Sequence, residues 1–363
     1  MPLMRAFAAG LSDVGLQREH NEDSFIVLND FDLYVVADGM GGHRAGDVAS
    51  RIATETIGEF FKSTANDDVT WPFHFDTNLS EEENRLLTGI RVANRQIFER
   101  STRSRECQGM GTTVVGAMFS LRKQRMYIGH VGDSRCYRVR AGKIEQLTRD
   151  HSLVNDYLVA MPDLTDEQRS ELPKNVITRA LGMQDQVIVD LQHDEPQLND
   201  VYVICSDGLS GMLTDEEIER VVTASPDIRT ACKRLIEKAN DHGGEDNVTA
   251  VLIRIEPARE PADQANDPEL ARTIASSDLN QTIDDGHTER AAIPHGLVAG
   301  VAAQVSLTAA PVPAPAHAAP PTPAITVTVP GTRDSDFMLG EAETMPGIMI
   351  PAVEKLRKDE EKK

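Results

Sequence analysis

Basic side chains are scarce in this sequence. It carries 37 Lys and Arg against 58 Asp and Glu, a formal net charge of −21. Phosphate backbones and anionic lipid surfaces are gripped by clustered Lys and Arg, so non-specific binding to nucleic acid or to a membrane surface is not expected. Cysteine is rare as well: Cys107, Cys136, Cys205 and Cys232 are scattered, with no CxxC pair. That pattern excludes a disulfide framework and a zinc site, and it fits a reducing compartment. Long apolar runs are missing, since no window reaches the roughly 18 uninterrupted apolar residues of a membrane span. The nearest candidate, 296–311, is Ala-rich and is broken by Gln304 and Ser306. The first residues, MPLMRAFAAG, lack the basic start and long apolar core of a signal peptide. Together these absences predict a cytoplasmic chain.

What is present supports a sizeable core, because 40% of the 363 residues are apolar. The composition changes at Pro257, after which Pro, Ala, Ser, Thr and charged residues dominate and aromatics almost vanish. Residues 257–363 are therefore expected to be a disordered tail, with 311–330 favouring polyproline II. That tail holds 16 acidic and 9 basic side chains, so −14 of the net charge belongs to residues 1–256. The acidity is mainly a property of the folded part.

Within residues 1–256, short β-rich runs alternate with longer helical ones. Residues 25–28 and 33–37 flank the turn signal Asn29-Asp30, which predicts an antiparallel hairpin. Further close returns join 111–119 to 126–131 and 134–140 to 143–147, and 186–191, 201–205 and 248–255 read as three more strands. Such returns predict antiparallel sheets rather than a doubly wound parallel one. Helices are expected at about 45–61, 81–102, 215–223 and 227–240. In the last of these, Ile228, Ala231, Leu235, Ile236 and Ala239 share one face. The polar segment 152–175, with two prolines and a short helical pattern at 165–170, reads as a flap.

Five aspartates sit at strand ends or in glycine-flanked loops: Asp23, Asp38, Asp133, Asp207 and Asp246. Asp38 ends the apolar run 33–37 and opens Asp38-Gly39-Met40-Gly41-Gly42-His43; Asp207 follows 201–206; Asp133 follows 127–132; Asp246 precedes the strand at Val248. A single Asp-Gly is most often a turn. Several carboxylates delivered by separate strands to loop ends, with no clustered bases to neutralise them, would repel unless cations lay between them. An all-oxygen donor set favours magnesium or manganese over zinc or copper. Two such ions about 4 Å apart suit hydrolysis of a phosphate ester.

The ordered series Arg18…Asn21-Glu22-Asp23, Asp38-Gly39-Met40-Gly41-Gly42-His43, Gly111-Thr112-Thr113, Gly132-Asp133-Ser134-Arg135, Asp150-His151-Ser152, Ile177-Thr178-Arg179-Ala180-Leu181-Gly182, Ser206-Asp207-Gly208-Leu209 and Gly244-Glu245-Asp246-Asn247-Val248-Thr249 resembles the bacterial branch of the PP2C-type (PPM) metal-dependent serine/threonine protein phosphatases. The resemblance spans about residues 5–255 and implies an α+β fold. In it, two central, mainly antiparallel sheets are packed between helices as a four-layer α-β-β-α sandwich. It further implies that Asp38 bridges two Mn2+ or Mg2+ ions, that the Gly39 carbonyl, Asp207 and Asp246 complete their direct ligands, and that Glu22 and Asp23 hold waters around them. Asp133, with Asp207, matches a third, weaker metal position, and Arg18 matches the residue that grips the substrate phosphate, a task its planar fork suits.

Met40 departs from the eukaryotic pattern, which has a histidine there proposed as general acid, and His43 is not a substitute by position alone. His151 is read as a structural hydrogen-bonding group, His130 as core, Asn247 as orienting Asp246 or a water, and Cys205 as no nucleophile. The expected activity is removal of phosphate from Ser and Thr of proteins by direct attack of a metal-activated water. Phosphoproteins, Ser/Thr kinases among them, are the expected partners of a monomeric enzyme. A catalytically silent scaffold of the same fold and a small-molecule phosphatase are the alternatives. Thr273 and Thr282, in acidic surroundings, are candidate phosphorylation sites in the tail.

Overall fold

The computed structural model describes residues 3–258 except 42–44, 66–72, 74 and, within 162–175, all but 165, 168, 172 and 173. His43, most of the expected 165–170 helix, Thr273, Thr282 and the tail beyond 258 lie outside the described residues.

Among the described residues the strands are β1 (Met4–Asp13), β2 (Asp23–Leu28), β3 (Leu33–Met40), β4 (Gly111–Thr112), β5 (Val114–Ser120), β6 (Arg125–Val131), β7 (Arg135–Arg140), β8 (Lys143–Gln146), β9 (Asp190–Asp194), β10 (Val201–Cys205) and β11 (Val248–Pro257). The helices are α1 (Ala45–Ser63), α2 (Glu81–Arg103), α3 (Leu153–Ala160), α4 (Asp207–Ser210), α5 (Asp215–Ala224) and α6 (Ile228–Asp241). One sheet has the order β1-β11-β10-β7-β8 and the other β2-β3-β5-β6-β9, with β4 added to β3; every pairing is antiparallel.

Period-two alternation assigns the faces of both sheets. Leu33, Val35 and Ala37 of β3 pack with Ala49, Ala53 and Ile57 of α1 and Leu86, Ile90 and Ile97 of α2, whereas Tyr34 and Val36, between them in sequence, turn to the other sheet. On the opposite sheet Val201, Val203, Ala250 and Leu252 meet Ile218, Ala231, Leu235 and Ala239 of α5 and α6, and Tyr202, Ile204, Val251 and Ile253 face inward. Three apolar layers separate four layers of structure, as expected of an α-β-β-α sandwich. Helix starts follow local chemistry: α2 and α5 carry reciprocal capping boxes, Ser80 with Glu83 and Thr214 with Glu217.

Four elements differ from the sequence reading. Met4–Asp13 pairs with β11 along its whole length, although its Ala- and Gly-rich sequence, buried only at Met4 and Ala8, announces no strand. The expected strand 111–119 is two strands broken at Thr113, whose amide turns to donate to the Asp38 carbonyl at 2.8 Å. The expected strand 186–191 lies later, at Asp190–Asp194, on the edge beside β6. Residues 184 and 185 are held instead by Asn94, whose Nδ2 donates to both carbonyls at 3.0 Å. Inside the expected flap, Leu153–Ala160 is helical, with Ser152 as its cap.

Candidate active site

The two sheets bring the chosen acidic residues to one end of the sandwich. β2 and β3 place Asp23 directly opposite Asp38. Asp207 begins α4 just past the end of β10, and Asp246 lies two residues before β11. Asp133 lies in the β6–β7 turn, after Gly132, whose φ of +109° few other residues adopt. Gly39 is required by close approach: a Cβ there would stand 2.2 Å from the Gly46 carbonyl oxygen and 2.6 Å from that of Glu22. Strand end, helix start and the Glu22 backbone therefore meet at this point, and the Gly39 amide donates to the Glu22 carbonyl at 3.1 Å.

The carboxylates crowd one another. Burial raises Asp38 well above the ordinary range, and the neighbouring charges of Asp23 and Asp207 raise it further. Asp38 and Asp207 are close enough for their carboxyl groups to share a hydrogen bond. Burial lifts Asp23 to about 8, against the pull of the two hydroxyls that donate to it. Asp133 rises to about 7, through burial and then the charge of Asp207. Glu22 is also raised by burial, and Arg18 opposes the shift.

Hydroxyl groups fix two of these residues in place. Ser206 Oγ and Thr249 Oγ1 donate to Asp23 Oδ2 at 2.7 and 2.6 Å. The Asp38 backbone is clamped from both sides, its carbonyl accepting from Thr112 Oγ1 at 2.8 Å and its amide donating to Thr113 Oγ1 at 3.2 Å. Thr113 is in turn bonded to Ser134 at 2.7 Å. Sequence reading singled out the segments that carry these residues but not their task, because a hydroxyl's partner depends on which loops meet.

Arg18 is at the site, where its Nη2 donates to Asp246 Oδ2 at 2.7 Å. Asn247 orients Asp246 only through its backbone amide, at 2.8 Å. Its side chain instead receives the Glu22 amide at 2.8 Å and donates to the Val14 and His20 carbonyls at 2.9 Å each, pinning the segment that carries Arg18 and Glu22. Met40, at the end of β3, offers no titratable group. Cys205 is buried and unpaired, its thiol pushed up to about 12 by burial, which leaves it inert.

The donor set fits hard cations. The Oδ1 atoms of Asp23, Asp133 and Asp207 are inaccessible to solvent and accept no hydrogen bond, and an unpaired buried carboxylate oxygen is costly without a counter-charge. Among the described residues, the one His, Cys, Asp and Glu trio with ligand atoms all within 4.8 Å is His130–His151–Asp190. That trio does not suit a metal. The imidazole rings are stacked 4.7 Å apart at 12°, so their in-plane lone pairs run side by side rather than converge. The guanidinium of Arg179 already lies 2.6 Å from Asp190 and 3.0 Å from His151 Nε2.

The sequence model of the family described as Protein phosphatase 2C matches residues 17–252. The chain belongs to that family. The serine/threonine phosphatase stp of Listeria welshimeri is 36% identical to it over 251 residues, which are 67% of this chain and 93% of stp. Among solved structures, the Mycobacterium tuberculosis serine/threonine phosphatase PstP superposes with a TM-score of 0.59 at 34% identity, covering 69% of this chain and 99% of PstP. A structure of the PstP catalytic domain in complex with two manganese ions gives 0.59 at 32% identity, covering 70% and 99%. The antiparallel sandwich described above is thus the phosphatase 2C fold, and the aspartate cluster lies within the matched residues.

Proposed function

We propose that this chain removes phosphate from phosphoserine and phosphothreonine in proteins, using divalent cations held by Asp38, the Gly39 carbonyl, Asp207 and Asp246. The observation that carries the reading is that the Oδ1 atoms of Asp23, Asp133 and Asp207, borne by strand ends and turns of both sheets, are buried and accept no hydrogen bond. Divalent cations bound there supply a nucleophilic water at neutral pH and offset the negative charge of the phosphoryl group. We take them to be two Mn2+ or Mg2+ ions, with a third, weaker one at Asp133 and Asp207.

The chain's own residues divide the remaining work. Glu22 and Asp23 would accept hydrogen bonds from waters around bound ions, and Ser206 and Thr249 hold Asp23 in place. Arg18, now bonded to Asp246, is placed to turn its guanidinium fork onto the phosphate oxygens of an incoming substrate. Asn247 ties the segment that carries Arg18 and Glu22 to the residue after Asp246.

Phosphate release from a phosphothreonine peptide is expected in Mn2+ or Mg2+ and none in excess EDTA, with no phosphoenzyme trapped on acid quench. Arg18→Ala should raise KM about tenfold or more with a smaller change in kcat, the mark of a lost substrate contact. An unchanged KM refutes the phosphate role. A protein that binds phosphopeptide but releases no phosphate would instead be the silent scaffold, and preference for metabolites over peptides would make it a small-molecule phosphatase.

We further place the catalytic domain at 1–256 and the boundary at the end of β11. The Ala258 amide still donates to the Leu3 carbonyl at 2.7 Å, so a chain ending at 258 keeps its last strand whole. Truncation there should leave kcat/KM within about twofold and the melting temperature within about 2 °C; insoluble protein would move the boundary into the tail. Among the described residues no helix is long and apolar enough to cross a membrane, and the four cysteines are unpaired and buried. We take the protein to be a cytoplasmic monomer that acts on phosphoproteins, Ser/Thr kinases among them.

A further inference from the structure

His151 is bonded to the turn that carries Asp133 by both its backbone and its side chain. Its amide donates to the Gly132 carbonyl at 2.9 Å, and its Nδ1 accepts from the Gly132 amide at 3.0 Å. A ring nitrogen that accepts a backbone N–H carries no proton, so in the neutral ring the hydrogen is on Nε2. Nε2 lies 3.2 Å from Asp190 Oδ2. Arg179 donates to the other oxygen of the same carboxylate, so the two donors lie side by side on one acceptor. On the remaining face the ring stacks on His130, whose Nε2 is fixed by the Arg149 carbonyl at 2.8 Å. Burial holds the His151 pKa below its ordinary value, although Asp190 pulls the other way, which preserves the Nδ1 lone pair. The His151 carbonyl, finally, receives the Thr178 amide at 2.8 Å, which ties the segment following the expected flap to the same residue.

We infer that His151 is a positioning residue that sets the Asp133 carboxylate for cation binding, through the Asp190–His151–Gly132 hydrogen-bond chain. The inference rests on the reading of Asp133 given above. The turn is packed closely on Thr113 at Gly132. A Cβ there would lie 2.6 Å from Thr113, and Thr113 is bonded both to Ser134, the residue after Asp133, and to the Asp38 amide. Loss of the Nδ1 bond would leave a buried backbone donor unpaired beside Asp133 and let the turn relax.

The chemistry permits a test that a merely structural histidine would not pass. Asn places an acceptor oxygen where Nδ1 stands and drops the Nε2 donor. Gln places a nitrogen donor where Nε2 stands and drops the acceptor. Calorimetric Mn2+ titration of the full chain should show the weakest binding step within about threefold of wild type in His151→Asn and weakened about tenfold or more in His151→Gln. With p-nitrophenyl phosphate, kcat should fall with the same split while KM changes less than twofold. Equal losses in the two variants, or no loss in His151→Gln, would overturn the inference. Asp133→Ala is the control. If it abolishes the weak step while His151→Gln does not, positioning by His151 is wrong and the Asp133 reading stands; if Asp133→Ala leaves the step intact, both are wrong.

Discussion

Asp38→Asn is expected to lower turnover of a phosphothreonine peptide by about three orders of magnitude or more at saturating Mn2+, equivalent to several kcal/mol of lost transition-state stabilisation. The same substitution should raise the melting temperature of the metal-free protein. Asp38 lies directly opposite Asp23 and within hydrogen-bonding distance of Asp207, so in the absence of cations the folded protein must keep a proton on it that the unfolded chain releases at neutral pH. Asn keeps the shape and removes the cost of that protonation, and the backbone at 38 stays clamped by Thr112 and Thr113. The expected gain is on the order of 3 °C in EDTA. This opposition of activity and stability is what a functional cluster produces and a structural turn does not. Residual turnover above about 1% of wild type, or a melting temperature lowered in EDTA, would show that Asp38 serves the fold rather than the chemistry.

The site was largely readable in the sequence because its builders obey local rules. An apolar run that ends in Asp-Gly reports a buried strand and its exit at once, so Asp38 could be read from residues 33–39, and Asp207 from 201–208, without knowing their neighbours. The fold was readable for the same reason in β3, β10 and β11, whose continuous apolar runs are buried on both faces. It failed where long-range partners replace apolar content. β1 is held by ten residues of pairing with β11, and of its side chains only Met4 and Ala8 are fully buried. β9 is a polar edge strand whose Asp190 and Asp194 are secured by Arg179 and Arg138, so the apolar 187–189 misled the register. His151 was legible as a hydrogen-bonding residue, but its partner was not, because Gly132 and Asp190 lie 19 residues before it and 39 after it in sequence and meet only in the folded protein.

Removal of divalent cations should make the stability of this protein fall as pH rises from about 5.5 to 8, opposite to the usual behaviour of carboxylate-rich proteins. The sign follows from Asp23, lifted to about 8, and Asp133, lifted to about 7. A carboxyl whose folded pKa lies above its unfolded value near 3.9 binds more protons folded than unfolded between the two, and each such extra proton makes stability fall by about 1.4 kcal/mol per pH unit until the folded group ionises. The contribution is fully present below the unfolded pKa and is gone above the folded one. Asp23 and Asp133, together with Asp32 at the other end of β3, which burial lifts to about 7, correspond to a fall on the order of 10 °C in melting temperature in EDTA. The pairs that lower other carboxyls, such as Asp190 with His151 and Arg179 and Asp194 with Tyr202 and Arg138, are already ionised across this window and contribute no slope. Mn2+ or Mg2+ replaces the protons as counter-charge, so saturation with either ion should abolish or reverse the trend and release protons into a weakly buffered solution, about one to two per chain at pH 7. Calorimetric melts in EDTA and in Mn2+ at pH 5.5, 6.5 and 8 check both slopes. A metal-free protein that grows more stable toward pH 8 would mean that these carboxylates are not strained by one another, and with that the physical ground for placing cations among them would be lost.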